Sequence, residues 1–296
     1  MQGGSTLKMI IMRVGGGLGN QLFEYATAYA LSKRLKQPFQ LDFTSGDDRP
    51  FRLDHLNIPI FVIKDFEQLP QEVNVIKNYY VNKALINLNI TSHQFGKFIY
   101  LKEIGDIFLK DVLTVDADNI YLDGCFQSEL FFRDYKADLL KQYTPTYVAE
   151  KTYVKTLEEI RGCNAVAVHV RRGDFKVSAH PFHYLLNEIY YKRAISYIRE
   201  RINSPVFFWF SDEHEWVRER FKEESDFRFV NVKTKNGDID DMMLMKHCQH
   251  IITANSTFSW WAAWLNEHED AIRIVPEKQY GIKEMIPDSW IKLPID

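Results

Sequence analysis

The sequence predicts an α/β protein of two domains, the second built on a Rossmann-like parallel sheet, and three observations carry that reading. The second half alternates apolar runs of strand length with segments of helix length, and several of the runs end in polar residues. The first readable segment is a strand, a glycine-rich loop, a helix and a second strand. The chain of 296 residues is long enough for two domains of ordinary size, and the stretch 142–149, with Pro145, breaks the pattern between them. The expected domains are 1–150 and 151–296, the last residues being free to pack back on the first.

Residues 9–14 (MIIMRV) read as a strand, and GGGLGNQ follows at 15–21. A helix then runs to about residue 36, because Leu22, Tyr25, Ala26, Tyr29 and Ala30 share one face, and Pro38 stops it. Residues 39–43 form the next strand. The glycine loop is not a dinucleotide fingerprint, since Asn20 stands where the last glycine is needed, and no Gly-Lys-Ser/Thr makes it a Walker A loop. It leaves thinly covered backbone ahead of a helix N-terminus. That suits a ligand with hydroxyls or negative charge, and a tight turn is the plainer alternative. Residues 53–119 show no sustained period and read as mixed helix and loop. Residues 119–124 read as a strand and 128–140 as a helix. His55 and His93 are isolated and carry no role.

The second half reads as strands at 164–170, 206–210, 227–232, 250–254 and 271–275. Helices at 184–201, 212–222, 240–248 and 256–265 separate them. Asp212 and Glu215 fit a capping box. Trp260, Trp261 and Trp264 read as core. Strands separated by helices of this length imply right-handed crossovers and a parallel sheet.

In such a sheet every carboxyl end lies on one edge, where ligands bind. Arg171, Arg172 and Asp174 follow the first strand, Ser211 and Asp212 the second, and Asn255, Ser256 and Thr257 the fourth. Two guanidiniums and a hydroxyl-rich helix start suit a phosphate. Arg172-Gly173-Asp174 also spells an adhesion tripeptide, but it sits at a strand end rather than an exposed loop tip. Asp238 and Asp240 form a D-x-D, a metal-binding pattern in some sugar-nucleotide transferases; acids at a helix start are the plainer reading.

A net charge of −3 argues against a nucleic-acid or general anionic-membrane binder. The three cysteines, Cys125, Cys163 and Cys248, are widely spaced, without zinc spacing. They point to a reducing compartment and unpaired, buried thiols. No apolar run approaches the roughly 18–20 residues that span a bilayer. The expectation is a cytoplasmic protein, with docking at the inner face of the membrane left open.

The strings HVRRGD at 169–174, GGGLGNQ at 15–21 and NSTFSWW at 255–261 together resemble the bacterial α-1,2-fucosyltransferases of glycosyltransferase family 11. The resemblance implies a GT-B-type fold, two Rossmann-like domains facing across a cleft, with the acceptor on the first domain and GDP-β-L-fucose on the second. It implies inversion at the anomeric carbon, no metal or other cofactor, and a galactose-terminated oligosaccharide as acceptor, in O-antigen or surface-glycan synthesis. By the same resemblance Arg171 grips the diphosphate, with Arg172 in support. His169 lines the nucleotide pocket, Asp174 braces the loop and Asp241 takes the guanine. Ser256, Thr257 and the Phe258 amide surround the diphosphate, and Gly19 and Asn20 face the donor from the first domain. The catalytic set is thus Arg171, Asp174 and His169. Where the α-1,6 relatives carry a base glutamate, this sequence has Ala179, followed by His180. His180, His183, Asp174 and Glu24 are the candidates for that role. A metal-dependent sugar-nucleotide transferase and a non-catalytic carbohydrate or adhesion protein are the alternatives.

Overall fold

A computed structural model describes residues 8–44, 49–59, 61–105, 107–178, 183–221, 224–278 and 282–296. The chain divides into two compact units, Met1–Thr146 and Tyr147–Asp296.

The first unit opens with β1 (Met9–Arg13), α1 (Leu18–Leu35), β2 (Phe39–Asp42) and β3 (Val62–Ile63). It continues through α2 (Gln71–Lys77), α3 (Tyr79–Asn87), β4 (Ser92–Phe95), β5 (Phe98–Lys102), α4 (Asp111–Thr114), β6 (Asn119–Asp123) and α5 (Lys136–Gln142). The sheet order is β3-β2-β1-β6-β5-β4, parallel except for the β4–β5 pair. Helix α1 begins before Gly19, so Gly19, Asn20 and Gln21 belong to its first turn rather than to the loop. It is buried without a break from Gln21 to Leu31, and the buried Gln21 and Glu24 side chains are hydrogen-bonded to the loop before it. The stretch 53–119 holds strands that its sequence pattern did not reveal. The expected helix 128–140 is broken into two 3-10 turns and α5, with Phe132 leaving helical geometry between the turns at φ −143° and ψ 1°.

The second unit runs α6 (Lys151–Arg161), β7 (Asn164–Val170), α7 (Glu188–Arg199), β8 (Pro205–Ser211), α8 (His214–Arg220) and β9 (Phe227–Phe229). It ends with α9 (Gly237–His247), β10 (His250–Ile252), α10 (Thr257–Leu265), β11 (Arg273–Pro276) and β12 (Ile291–Leu293). Its six strands are all parallel in the order β9-β8-β7-β10-β11-β12, the 3-2-1-4-5-6 order of a Rossmann sheet. Near the end of the chain β12 pairs with β11, so Ile291–Leu293 form the edge of the second sheet. Tyr190 and Ile198 of α7, Val217 of α8 and Phe221 just beyond it bury one face of the sheet with Val166, Val168, Phe207 and Trp209. On α10, Trp260 and Trp261 are fully buried, and the Trp260 indole donates to the Met285 carbonyl at 2.8 Å, which satisfies its only polar group. Of the cysteines only Cys248 is buried; Cys125 and Cys163 are half-buried, and all three are free thiols. No helix among the described residues is long and apolar enough to cross a membrane.

Candidate active site

In the second sheet the strand order reverses between β7 and β10, and open α/β sheets bind ligands beyond the carboxyl ends at that point. Arg171–Asp174 leaves β7 there. Its turn is held by a residue from the neighbouring strand end. Asp212, just past β8, accepts the Arg172 amide at 2.9 Å and the Gly173 amide at 3.1 Å. The same carboxylate pairs with Arg171 Nη1 at 3.0 Å, and Asp174 holds Arg171 Nη2 at 2.8 Å. Arg171 is therefore fixed between two carboxylates while keeping about a quarter of its side chain exposed (27%). Gly173 allows this approach, because a Cβ there would lie 2.8 Å from Asp212 Oδ2. Arg172 turns elsewhere. Its Nε pairs with Glu213 at 3.3 Å and its guanidinium lies over the Trp216 ring at 4.0 Å. The capping box is corrected: α8 has Glu213 as its N-cap, with no side-chain cap bond, because the Asp212 carboxylate is spent on the β7 turn.

His169, in β7, is 4% exposed. Burial, and then the Arg171 charge, lower its pKa to about 3, so the ring is neutral at physiological pH. Its Nδ1 is buried with no partner among the described residues. The ring meets Phe258 with centroids 5.4 Å apart, which joins the end of β7 to the start of α10. Ser256 is the α10 N-cap, accepting the Phe258 amide at 3.3 Å, and Thr257 is the first helical residue. Asn255 donates to the Tyr184 carbonyl at 3.0 Å, tying the approach to α10 to the segment before α7.

Helix α9 connects β9 to β10, so its first turn lies on the same carboxyl edge. Asp241 directly follows that turn, with its pKa pushed up to about 7, by burial first and then by Asp240 and Asp238. Its Oδ1 is buried and unpartnered among the described residues. The two acids of the neighbouring D-x-D are engaged. Asp240 accepts the Tyr147 hydroxyl at 2.6 Å and the Thr234 hydroxyl at 2.5 Å, and Asp238 Oδ1 accepts the Ile239 amide at 3.0 Å. Among the described residues no group of three His, Cys, Asp or Glu side chains could hold a metal ion.

Gly19 and Asn20 belong to the first unit. The glycine loop there is tethered: Glu24, buried, accepts the Gly15 amide at 3.0 Å, and Gln21 Nε2 donates to the Gly16 carbonyl at 2.9 Å. Only Gly16 of this loop needs a left-handed backbone, with φ +68°. Glu24 is thus a loop anchor. His183 shares a 2.6 Å hydrogen bond with Ser178 and stacks on Phe175 at 4.3 Å. Ala179 and His180 lie outside the described residues. The sequence reading missed Asp212 as the holder of Arg171, although its position just after a strand was a signal. It also missed Glu213, Trp216 and Tyr147, which act across the fold and leave no local pattern.

The family model of glycosyl transferase family 11 matches residues 4–290. The chain belongs to glycosyltransferase family 11. Over 97% of its length it is 32% identical to an Escherichia coli alpha-1,2-colitosyltransferase, 99% of which is covered. It is 31% identical, over 95% of the chain and 99% of the relative, to the E. coli O-antigen biosynthesis glycosyltransferase WbnK. A Hylobates lar galactoside alpha-(1,2)-fucosyltransferase 2 is 27% identical over 84% of the chain and 67% of its own length. Among solved structures, a mutant of Arabidopsis thaliana FUT1 in complex with GDP superposes with a TM-score of 0.52 at 12% identity, covering 97% of this chain and 74% of that one. This family 11 protein therefore has the α/β GT-B fold and is a glycosyltransferase related to α-1,2-fucosyl- and colitosyltransferases.

Proposed function

We propose that the protein is an inverting galactoside 2-α-L-fucosyltransferase, moving L-fucose from GDP-β-L-fucose to the 2-hydroxyl of a terminal galactose. The observation that carries this is Arg171, held between Asp174 and Asp212 where the strand order of a Rossmann sheet reverses. As the glycosidic bond breaks, negative charge grows on the β-phosphate. A guanidinium in fixed geometry stabilises it with paired hydrogen bonds, and the N-terminus of α10 adds backbone N–H groups and a favourable dipole. Neutral His169 places no second cation beside Arg171, and its unpartnered nitrogen is available to the donor. Asp241 Oδ1, also unpartnered, suits the N–H donors of guanine. With Arg171 and the helix amides taking the charge, the reaction needs no metal. The second unit holds the donor in this reading and the first serves the acceptor.

Transfer of colitose is the second reading, favoured by the likeness to the E. coli colitosyltransferase. Colitose is L-fucose without its 3-hydroxyl, so a site built to bond that hydroxyl would reject it. The test is incubation with GDP-fucose or GDP-colitose and a panel of galactosides, followed by linkage analysis. An α-1,2-fucosylated galactoside is expected. Transfer from GDP-colitose alone would replace the donor, and transfer from neither, with activity on a UDP-sugar, would sink the proposal.

A further inference from the structure

We propose that helix α3 of the first unit is a docking surface for an anionic lipid bilayer. The inference goes beyond the proposed function and does not depend on which sugar is transferred.

The starting observation is where the chain leaves apolar side chains uncovered. Half of the large apolar side chains exposed among the described residues fall within positions 61–88. Single exposed apolar residues are ordinary, but a group of them on one surface marks a binding face. The group centres on α3. Of its nine residues only Leu85 is buried. Leu85 and Val81, one turn apart, pack into the core that α2 also covers. On the opposite side of the helix Ile86, Tyr79, Lys83, Tyr80 and Ala84 follow one another round the axis, all exposed. Tyr79 and Tyr80 are 65% and 78% exposed, and Leu88, at the C-cap, is 70% exposed. The helix is nevertheless held from below. Its N-cap Asn78 accepts the Tyr80 amide at 3.0 Å, Lys77 before it pairs with buried Asp42 at 2.7 Å, and Asn82 donates to the Tyr100 hydroxyl at 3.4 Å. An apolar outer face on a helix fixed in this way is a surface without a partner, not a frayed end.

Charge selects the occupant. The net charge of −3 gives no general attraction to an anionic surface, yet residues 73–102 hold four lysines and no Asp or Glu. Two of these lysines turn inward, Lys77 to Asp42 and Lys102 to Asp123. Lys83 and Lys97 are left exposed. Lys83 Nζ donates to the Tyr79 hydroxyl at 3.4 Å and lies 5.5 Å from the centre of its ring. At a membrane surface tyrosine and lysine both bury their apolar parts and keep their polar tips at the headgroups, so this pair has its two tips at one level. Apolar side chains beside positive charge, with no carboxylate in the same stretch, complement acyl chains beneath acidic headgroups.

The test is co-sedimentation of the full chain with sucrose-loaded vesicles of phosphatidylglycerol and phosphatidylcholine in equal parts, against vesicles of phosphatidylcholine alone. Wild-type protein should bind the anionic vesicles, and the neutral ones at least about fivefold more weakly. The double change Tyr80→Ser and Leu88→Ser should weaken binding to the anionic vesicles roughly tenfold or more, by removing apolar surface that enters the lipid. Lys83→Gln should weaken it about fivefold, an effect that fades at high salt. All three positions are exposed, so Tm and transfer to a soluble galactoside should be unchanged. Wild-type protein that stays in the supernatant with anionic vesicles, or variants that bind them as wild type does, would overturn the proposal. A wild-type dimer in sedimentation velocity that the double change makes monomeric, without vesicle binding, would give the face to a second copy of the chain. A soluble-galactoside KM that rises in step with the loss of vesicle binding would give it to the acceptor.

Discussion

Arg171 sits between two carboxylates, and that decides what its replacement should do. Two of its nitrogens are used to hold position, leaving the rest of the fork for a diphosphate. A lysine ammonium has one position and cannot be held by Asp174 and Asp212 while also chelating phosphate. Arg171→Ala and Arg171→Lys should both lower kcat by at least ~10²-fold, the usual effect of removing a preorganised donor. Near-normal turnover of purified Arg171→Lys would remove the clamp role. Asp241 argues at the same scale from the opposite sign. Its pKa is raised to about 7, so its charged form is disfavoured in the folded chain without ligand. Below that pH the carboxyl is protonated and cannot accept both guanine N–H groups. GDP affinity should therefore fall toward low pH, by up to about tenfold per unit below pH 7, and level off above it. Comparison with Asp241→Asn over pH 5–8 isolates this group from titration of the nucleotide itself. Stability has the reverse sense: a raised folded pKa is a contribution present below the unfolded value of 3.8 and lost as pH rises through about 7. Asp241→Asn should accordingly raise Tm at pH 8 while weakening GDP.

At the scale of elements, the turn after β7 depends on the end of β8. Removing the Asp212 side chain leaves the Arg172 and Gly173 amides without their partner and Arg171 with one carboxylate instead of two. Gly173→Ala attacks the same contact from the other side, by pushing a Cβ onto Asp212 Oδ2. Each should cost ~1–3 kcal/mol in transition-state binding, roughly tenfold or more in kcat/KM. The double variant should lose little more than the worse single one, because both break one unit. Additive losses would mean that Asp212 and Gly173 act separately. This dependence also explains what was legible in the sequence. β7 and β8 are long and apolar, so their ends, with Arg171 and Ser256 beyond a later strand, could be placed from the pattern alone. The role of Asp212 could not, since its partners lie some 40 positions away (|i−j| = 40 and 39) and a local capping pattern offers its carboxylate a nearer use. β4 escaped notice for another reason. Its residues Ser92–Phe95 are largely exposed and show no apolar alternation, so only pairing with β5 defines the strand.

At the scale of the whole molecule, the chain carries a net charge of −3, so a nucleotide diphosphate is not drawn by the overall field. In the proposed function its binding comes from local groups, the Arg171 clamp and the α10 amides, and its base selectivity from Asp241. Three consequences separate this from a D-x-D metal site. GDP should stabilise the protein against heat far more than UDP, because uracil offers Asp241 no matching pair of donors. At 100 times its Kd a ligand specific for the native state contributes ~2.7 kcal/mol, and at about 2–4 °C per kcal/mol the shift is roughly 5–10 °C. EDTA should leave both the shift and the transfer rate unchanged, since Asp240 is already engaged by Tyr147 and Thr234 and Asp238 by the Ile239 amide. Salt should weaken GDP moderately rather than abolish it, because Arg171 is only partly exposed and partly buried charges are screened less than open ones. Differential scanning fluorimetry with GDP and UDP, each with and without EDTA, reads the first two together. An equal response to UDP, or a GDP shift that disappears with EDTA and returns with Mn²⁺, would move the nucleotide from Arg171 to Asp238 and Asp240. It would also require the Tyr147 and Thr234 hydroxyls to give up the Asp240 carboxylate.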